Sequence, residues 1–376
     1  MVSKSKGNRN VLISVSQASH SPQIIQILQT LIDEDIEIHV LIMADFEMPI
    51  LREIIAIGVS YEIMPQISKY GIIRHVLITL KHISKKRPFA VLASGQYATT
   101  SLIPISFLFG IDKRIFIRHH SIFHHKYSFR MGLFLDKINN MCATQVVAVS
   151  KIVHDILIEK EGVPFHKVVI IHNGINLEKF VDESGSRTLS EDQPSNSGVM
   201  RPFTVGVISR LTDWKGVEYI ARAFKEFTYI YPNALLHITG ARADSYPKIR
   251  QILEDIDSSK YIFEESNQDV PGLLKSLDVF IHTPIGMEDE AFGIVYIEAL
   301  AANIPCVFTL SGILHELPQP QKHASIVPYQ DWEAILGSLI EIKERRLAFV
   351  EVPHEWLCQF SLHIQGLAYY KLINHS

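Results

Sequence analysis

Residues 290–305 read Glu-Ala-Phe-Gly-Ile-Val-Tyr-Ile-Glu-Ala-Leu-Ala-Ala-Asn-Ile-Pro. The apolar and small residues from Gly293 to Ala302 predict one short buried helix, with Asn303 in the left-handed position at its end and Pro305 just beyond. Glu290 then lies in the loop before the helix, and Glu298 points out of its second turn. The backbone N–H groups of Phe292, Gly293 and Ile294 have no partner inside such a helix and can grip a phosphate. An acid on each side suits hydroxyls, and a nucleotide sugar carries its groups in that layout.

Working outward, short Val/Ile-rich runs alternate with longer helical patterns along the whole chain, as in parallel sheets covered by helices on both faces. Strands are expected at 11–15, 36–43, 90–93, 114–117, 146–149 and 167–171, and a second series at 204–208, 235–239, 261–263, 279–282, 306–309 and 325–327. The fold class is therefore α/β, with two Rossmann-like doubly wound domains facing a central cleft formed by the carboxyl ends of both sheets. Residues 182–200 are polar and Ser-rich without periodicity, which makes them the linker between domains at 1–181 and 201–352. Residues 215–228 carry Val217, Ile220, Ala221, Phe224 and Phe227 at helical spacing, with Asp213 as the expected cap. A last helix is expected over 356–373.

With 47% hydrophobic and 20% charged residues and a net charge of -4, the chain has the composition of a soluble globular protein, and a nucleic-acid partner is not expected. Residues 1–190 carry 21 Lys and Arg against 16 Asp and Glu, and the remainder 15 against 24. The first half is thus able to rest on an anionic membrane surface, although solvated faces that differ in charge explain the numbers equally well. The three cysteines, Cys142, Cys306 and Cys358, stand far apart and suggest neither a disulfide framework nor a zinc module. No apolar run is long enough to span a bilayer, so the expectation is a cytoplasmic protein, at most peripheral at the inner face of the membrane.

Arg210 and Lys215 lie in Ile-Ser-Arg-Leu-Thr-Asp-Trp-Lys-Gly, on the turn after the first strand of the second half. There a planar guanidinium and a point-charge ammonium would hold a diphosphate, where elsewhere they would be solvated surface cations. In the first half, Arg118-His119-His120-Ser121 and then His124-His125 also follow a strand. Four histidines invite a zinc reading, but no Cys or clustered carboxylate completes a ligand set nearby in the sequence. Contact with a sugar hydroxyl stands ahead of metal for His119 and His120, and a structural role stands ahead of both for His124 and His125.

The segments Val-Ile-Ile-His-Asn-Gly-Ile-Asn-Leu-Glu-Lys-Phe (169–180), Ile-Ser-Arg-Leu-Thr-Asp-Trp-Lys-Gly (208–216), Glu-Ala-Phe-Gly-Ile-Val-Tyr-Ile-Glu-Ala-Leu-Ala (290–301) and Pro-Cys-Val-Phe-Thr-Leu-Ser-Gly-Ile-Leu-His-Glu (305–316) occur in this order. Together they resemble the retaining glycosyltransferases of family 4, which have the two-domain B-type fold. Residues 117–125 also look like the bacterial members that build surface polysaccharides.

The resemblance implies transfer of a sugar from a nucleoside-diphosphate donor, UDP-sugar or GDP-sugar, to a glycan or lipid-linked acceptor. It implies no divalent metal and no other cofactor. Glu290 would contact donor sugar hydroxyls, Glu298 the ribose, Arg210 and Lys215 the diphosphate, and the backbone of Phe292, Gly293 and Ile294 the phosphate and sugar. His119 or His120 would act on the reacting sugar, and the tail at 353–376 would cross back to the first domain. The loop at 16–20 lacks the family's paired glycines, and Asn176 and Asn303 stand where the family usually has Asp and Gly. An epimerase or phosphorylase of the same architecture, or a non-catalytic nucleotide-sugar sensor, are the competing readings.

Overall fold

A computed structural model of the chain describes residues 9–16, 21–43, 48–64, 71–126, 130–180, 201–347 and 349–374. Positions 17–20 of the loop noted above and the expected linker at 182–200 lie outside the described residues. The chain divides into two compact units, Met1–Ile175 with Gln359–Ser376, and Asn176–Cys358.

In the first unit the strands are β1 (Asn10–Val15), β2 (Glu37–Ile42), β3 (Ser60–Ile63), β4 (Ala90–Ser94), β5 (Lys113–Arg118), β6 (Gln145–Ala148) and β7 (Val168–Ile170). They form one parallel sheet in the order β3-β2-β1-β4-β5-β6-β7. Val91, Leu92, Val146 and Val147 are fully buried, which is why these strands read as unbroken apolar runs. The strand order reverses between β1 and β4, and the segments that leave these two paired strands stay in close contact. Ser16 N–H donates to the Ser94 carbonyl at 2.9 Å. Gly95 turns away with φ +92°, and a Cβ on it would fall 2.5 Å from the Ser16 hydroxyl oxygen. β3 escaped the sequence reading because it has four residues, two of them Tyr61 and Glu62, and pairs on one side only.

The expected 356–373 helix is two helices, His354–Cys358 and Leu362–Asn374. The break has a cause: Ile175 N–H donates to the Phe360 carbonyl at 2.7 Å, and Leu362 N–H donates to the Ile175 carbonyl at 3.2 Å. The strand-like link costs the helix its continuity. Leu362–Asn374 then packs on the helix Pro22–Asp33, where a Cβ at Gly366 would overlap the Thr30 hydroxyl at 2.2 Å. Lys113 Nζ donates to the Ile373 carbonyl at its end.

The second unit repeats the plan with β8 (Phe203–Ile208), β9 (Ala234–Thr239), β10 (Tyr261–Glu264), β11 (Val279–His282), β12 (Cys306–Phe308) and β13 (Ser325–Ile326), all parallel in the order β10-β9-β8-β11-β12-β13. The helix Val217–Ile230 buries Ile220, Ala221, Phe224 and Phe227 on the sheet. Asp213 does not cap it. Asp213–Lys215 form a 3-10 turn instead, and Gly216, left-handed at φ 68°, begins the helix because any Cβ there would lie 2.1 Å from the Thr283 carbonyl oxygen. No helix among the described residues is long and apolar enough to cross a membrane.

Candidate functional site

The short turn that ends in Gly216 delivers Lys215 to the loop after β11. Its Nζ lies 2.5 Å from Glu290 Oε2, and both side chains are nearly buried. The same oxygen accepts a hydrogen bond from Nε2 of His282, the last residue of β11, at 3.0 Å. Ser311 fixes the loop from behind: its hydroxyl accepts from Glu290 N–H at 3.2 Å and shares its one proton between the Gly286 and Met287 carbonyls, each at 2.9 Å. Gly293 and Gly312 press on the Glu290 side chain, and a Cβ on either would sit 2.9 Å from its Cγ.

Burial alone would raise the Glu290 carboxyl, but the Lys215 ammonium and the His282 hydrogen bond outweigh it and hold the group at about 2. Burial in turn lowers the His282 imidazole, against the pull of Glu290, so the ring is neutral at pH 7 and donates its one proton to the carboxylate. The ring edge rests on Tyr296, whose hydroxyl donates to the Thr309 carbonyl at 3.2 Å. An ammonium has three donors, and Glu290 takes one.

The helix after this loop is Ile294–Ala301, with Gly293 as a left-handed N-cap at φ 79° and no side-chain capping bond. Asn303 is left-handed at φ 49°. The Phe292 carbonyl accepts from Ile313 N–H at 2.9 Å, tying this loop to the one after β12. Glu298 does not point into open solvent. It is half-buried, and burial raises its carboxyl to about 7. Arg210 is exposed at the end of β8, and its guanidinium makes no ion pair among the described residues. The fold therefore joins Lys215 and Glu290 directly and sets Phe292, Gly293 and Ile294 beside them, while no hydrogen bond or ion pair among the described residues links Arg210 or Glu298 to the pair.

His119 and His120 belong to the first unit. His119 is exposed, with Nε2 3.0 Å from the Ser94 hydroxyl. His120 sits at the edge of a buried network that includes the carboxylates missing from the local sequence. Arg118 ion-pairs with Glu161 and with Asp136, the latter at 3.2 Å. Asp136 also accepts from His124 Nδ1 at 2.6 Å and from Gln96 Nε2 at 3.0 Å. Glu161 accepts from Asn140 Nδ2 at 2.8 Å and faces His125 Nε2 at 3.5 Å. Asp136 is held at about 2 although burial opposes it, through His124 and Arg118. Burial and the Arg118 charge push His120 down to about 3. His120, His124 and Asp136 could hold a metal by spacing, yet Arg118 already supplies the positive charge there.

Lys215 and Glu290 are legible in the sequence as site residues, whereas His282 as their partner is not. Its one signal was position, the last residue of a strand ending at the carboxyl edge of the sheet.

The family described as Glycosyltransferase Family 4 matches residues 23–179, and that described as Glycosyl transferases group 1 matches 190–356. Among curated proteins, the chain is 26% identical over 216 residues to the alpha-monoglucosyldiacylglycerol synthase of Acholeplasma laidlawii, covering 55% of this chain and 52% of that protein. It is 24% identical over 188 residues to the capsular polysaccharide biosynthesis glycosyltransferase CapM of Staphylococcus aureus, covering 46% of each. The chain thus spans about half the length of the curated relatives it matches. Among solved structures, HepE of Anabaena in complex with UDP-glucose superposes with a TM-score of 0.77 at 18% identity, covering 97% of this chain and 100% of that one.

Proposed function

Because this chain belongs to family 4 of the glycosyltransferases with the B-type fold, we propose that it is a hexosyltransferase that moves a sugar from a nucleoside-diphosphate sugar to an acceptor hydroxyl with retention of anomeric configuration. The observation that carries this reading is the buried Lys215–Glu290 pair set beside the uncapped start of helix Ile294–Ala301. In such a transfer the bond from the sugar anomeric carbon to the diphosphate breaks, the bond to the acceptor oxygen forms, and the acceptor proton leaves. The sugar passes through an oxocarbenium-like state, so catalysis must neutralise charge growing on the diphosphate. Lys215 through its remaining N–H donors, Arg210 from the solvent side and the helix N-terminus supply that charge without a divalent metal. Glu290, ionised at neutral pH, accepts from donor sugar hydroxyls. Glu298 takes the ribose.

The glycolipid and capsule enzymes among the relatives support a glycan or lipid-linked acceptor. Helix Gly71–Lys86 supports contact with an anionic membrane face: Ile73 and Leu77 are each 58% exposed and are accompanied by Arg74, Lys81, Lys85 and Lys86. The test of the reaction is an NMR assay of the anomeric product from UDP-sugars and GDP-sugars, run with and without EDTA. Product of the donor's own configuration at an undiminished rate in EDTA is expected. An inverted product refutes retention, and loss of turnover below the melting temperature in EDTA refutes metal independence.

A further inference from the structure

A cluster that plays no part in this transfer lies at the outer strands of the first unit's sheet. His39 on β2, Glu62 on the edge strand β3 and His82 on helix Gly71–Lys86 bring one ligand atom each to within 4.8 Å of one another. His39 Nδ1 is 2.9 Å from the Ser60 hydroxyl, and that hydroxyl gives its single proton to the Ile38 carbonyl at 2.9 Å. Nδ1 must then be the donor, which leaves a lone pair on Nε2. That Nε2 is buried and has no hydrogen-bond partner among the described residues. A histidine whose far nitrogen is held by a neighbour while the near one offers a lone pair is oriented as metal-bound histidines are.

The His82 ring stacks on His39 with centroids 4.4 Å apart and planes at 21°, and its Nε2 lies 2.7 Å from Glu62 Oε2. Two imidazoles and one carboxylate make up a three-ligand zinc set that is completed by water. Glu62 is one-third exposed and gives an entry path. Lys81, 3.6 Å from Glu62 and half-exposed, is free to turn into solvent when a cation arrives. The other histidine cluster lacks this property, since Arg118 is fixed beside its carboxylate.

From these contacts we infer that His39, Glu62 and His82 bind one Zn2+ ion, which clasps the edge strand β3 and helix Gly71–Lys86 to β2. On binding, the His82 Nε2 proton moves to Nδ1 or to solvent, and the ion replaces the hydrogen bond to Glu62. The clasp would stabilise this edge and take no part in sugar transfer.

The test is calorimetric titration of ZnCl2 into the full chain after chelator treatment and dialysis, with thermal midpoints read in parallel. One Zn2+ per chain and a raised midpoint are expected for the wild type. His39→Ala and His82→Ala should each lose the ion, while Ser60→Ala, which keeps all three ligands but releases the His39 ring, should weaken binding about tenfold. Should either alanine ligand variant fail to fold by circular dichroism, Ser60→Ala and Glu62→Gln carry the same test. A wild type that takes up no Zn2+, equal uptake by every variant, or uptake lost in His124→Ala but kept in His39→Ala overturns the assignment.

Discussion

Two buried ion-pair networks sit at the carboxyl ends of the two sheets, and their balance differs. In the first unit Arg118 faces Asp136 and Glu161 together, and Gln96, Asn140 and His124 fill further acceptor positions on those carboxylates. In the second unit one carboxylate, Glu290, meets one ammonium, Lys215, beside a helix start that has no side-chain cap. The lesson is that charge burial alone does not mark a site. The first network spends its charges on itself, whereas in the second the Lys215 ammonium has three donors and Glu290 takes one.

The sharpest way to separate the two is to remove one charge from each. Lys215→Ala strands a buried carboxylate and should cost about 3–5 kcal/mol of stability in denaturant titration, and should also weaken donor binding by about 1.5–3 kcal/mol. Glu161→Gln should cost about 1–3 kcal/mol of stability and leave the affinity for free UDP or GDP unchanged in calorimetry. Nucleotide affinity that follows the first-unit variant and ignores the second would reverse the comparison.

Glu290→Gln keeps the size of the side chain and removes its charge. Turnover should fall by about 10²–10³-fold, the scale for one preorganised electrostatic contact, with little change in the titration of free UDP or GDP. Equal losses in turnover and nucleotide affinity would move Glu290 from the sugar to the nucleotide. Arg210→Ala, at an exposed position without an ion pair, should leave stability within about 0.5 kcal/mol. It should still weaken donor binding by about 1.5–3 kcal/mol if it reaches the diphosphate.

The smallest effect is a pH dependence. Burial raises the Glu298 carboxyl from 4.5 to about 7, so the native state holds a proton that the unfolded chain releases earlier. Its contribution to stability is complete below about pH 4.5 and is lost as pH rises towards about 7. Glu298→Gln should therefore raise the thermal midpoint at pH 8 relative to the wild type, with no such gain at pH 4. Glu290 runs the other way: its folded value of about 2 adds stability above pH 4.5 that disappears as acid approaches pH 2. A Glu298→Gln gain that is the same at pH 4 and pH 8 would show that the carboxyl is solvated.

Much of this was legible in the residues. Strands such as β4 and β6 are apolar because both faces of a parallel sheet are covered, and the helix Ile294–Ala301 announced its end through Asn303 and Pro305. Lys215 is legible because it lies on the turn after a strand, and Glu290 because it opens the loop before a short helix of small and apolar residues. What stayed hidden was pairing across distance. Nothing in the spacing of Arg118, Asp136 and Glu161 shows that three separate segments meet. His39, Glu62 and His82 were invisible for the same reason, with β3 itself unread.

The most direct test of the central claim is thermal stabilisation by a panel of nucleotides and nucleotide sugars, measured on the wild type, Arg210→Ala and Lys215→Ala. At a ligand concentration of about 100 Kd the wild type should gain about 2.7 kcal/mol from its matching UDP or GDP ligand, and both variants should lose most of that gain. A wild type that no nucleoside diphosphate stabilises, or variants stabilised as fully as the wild type, would contradict a diphosphate site built on Lys215 and Glu290.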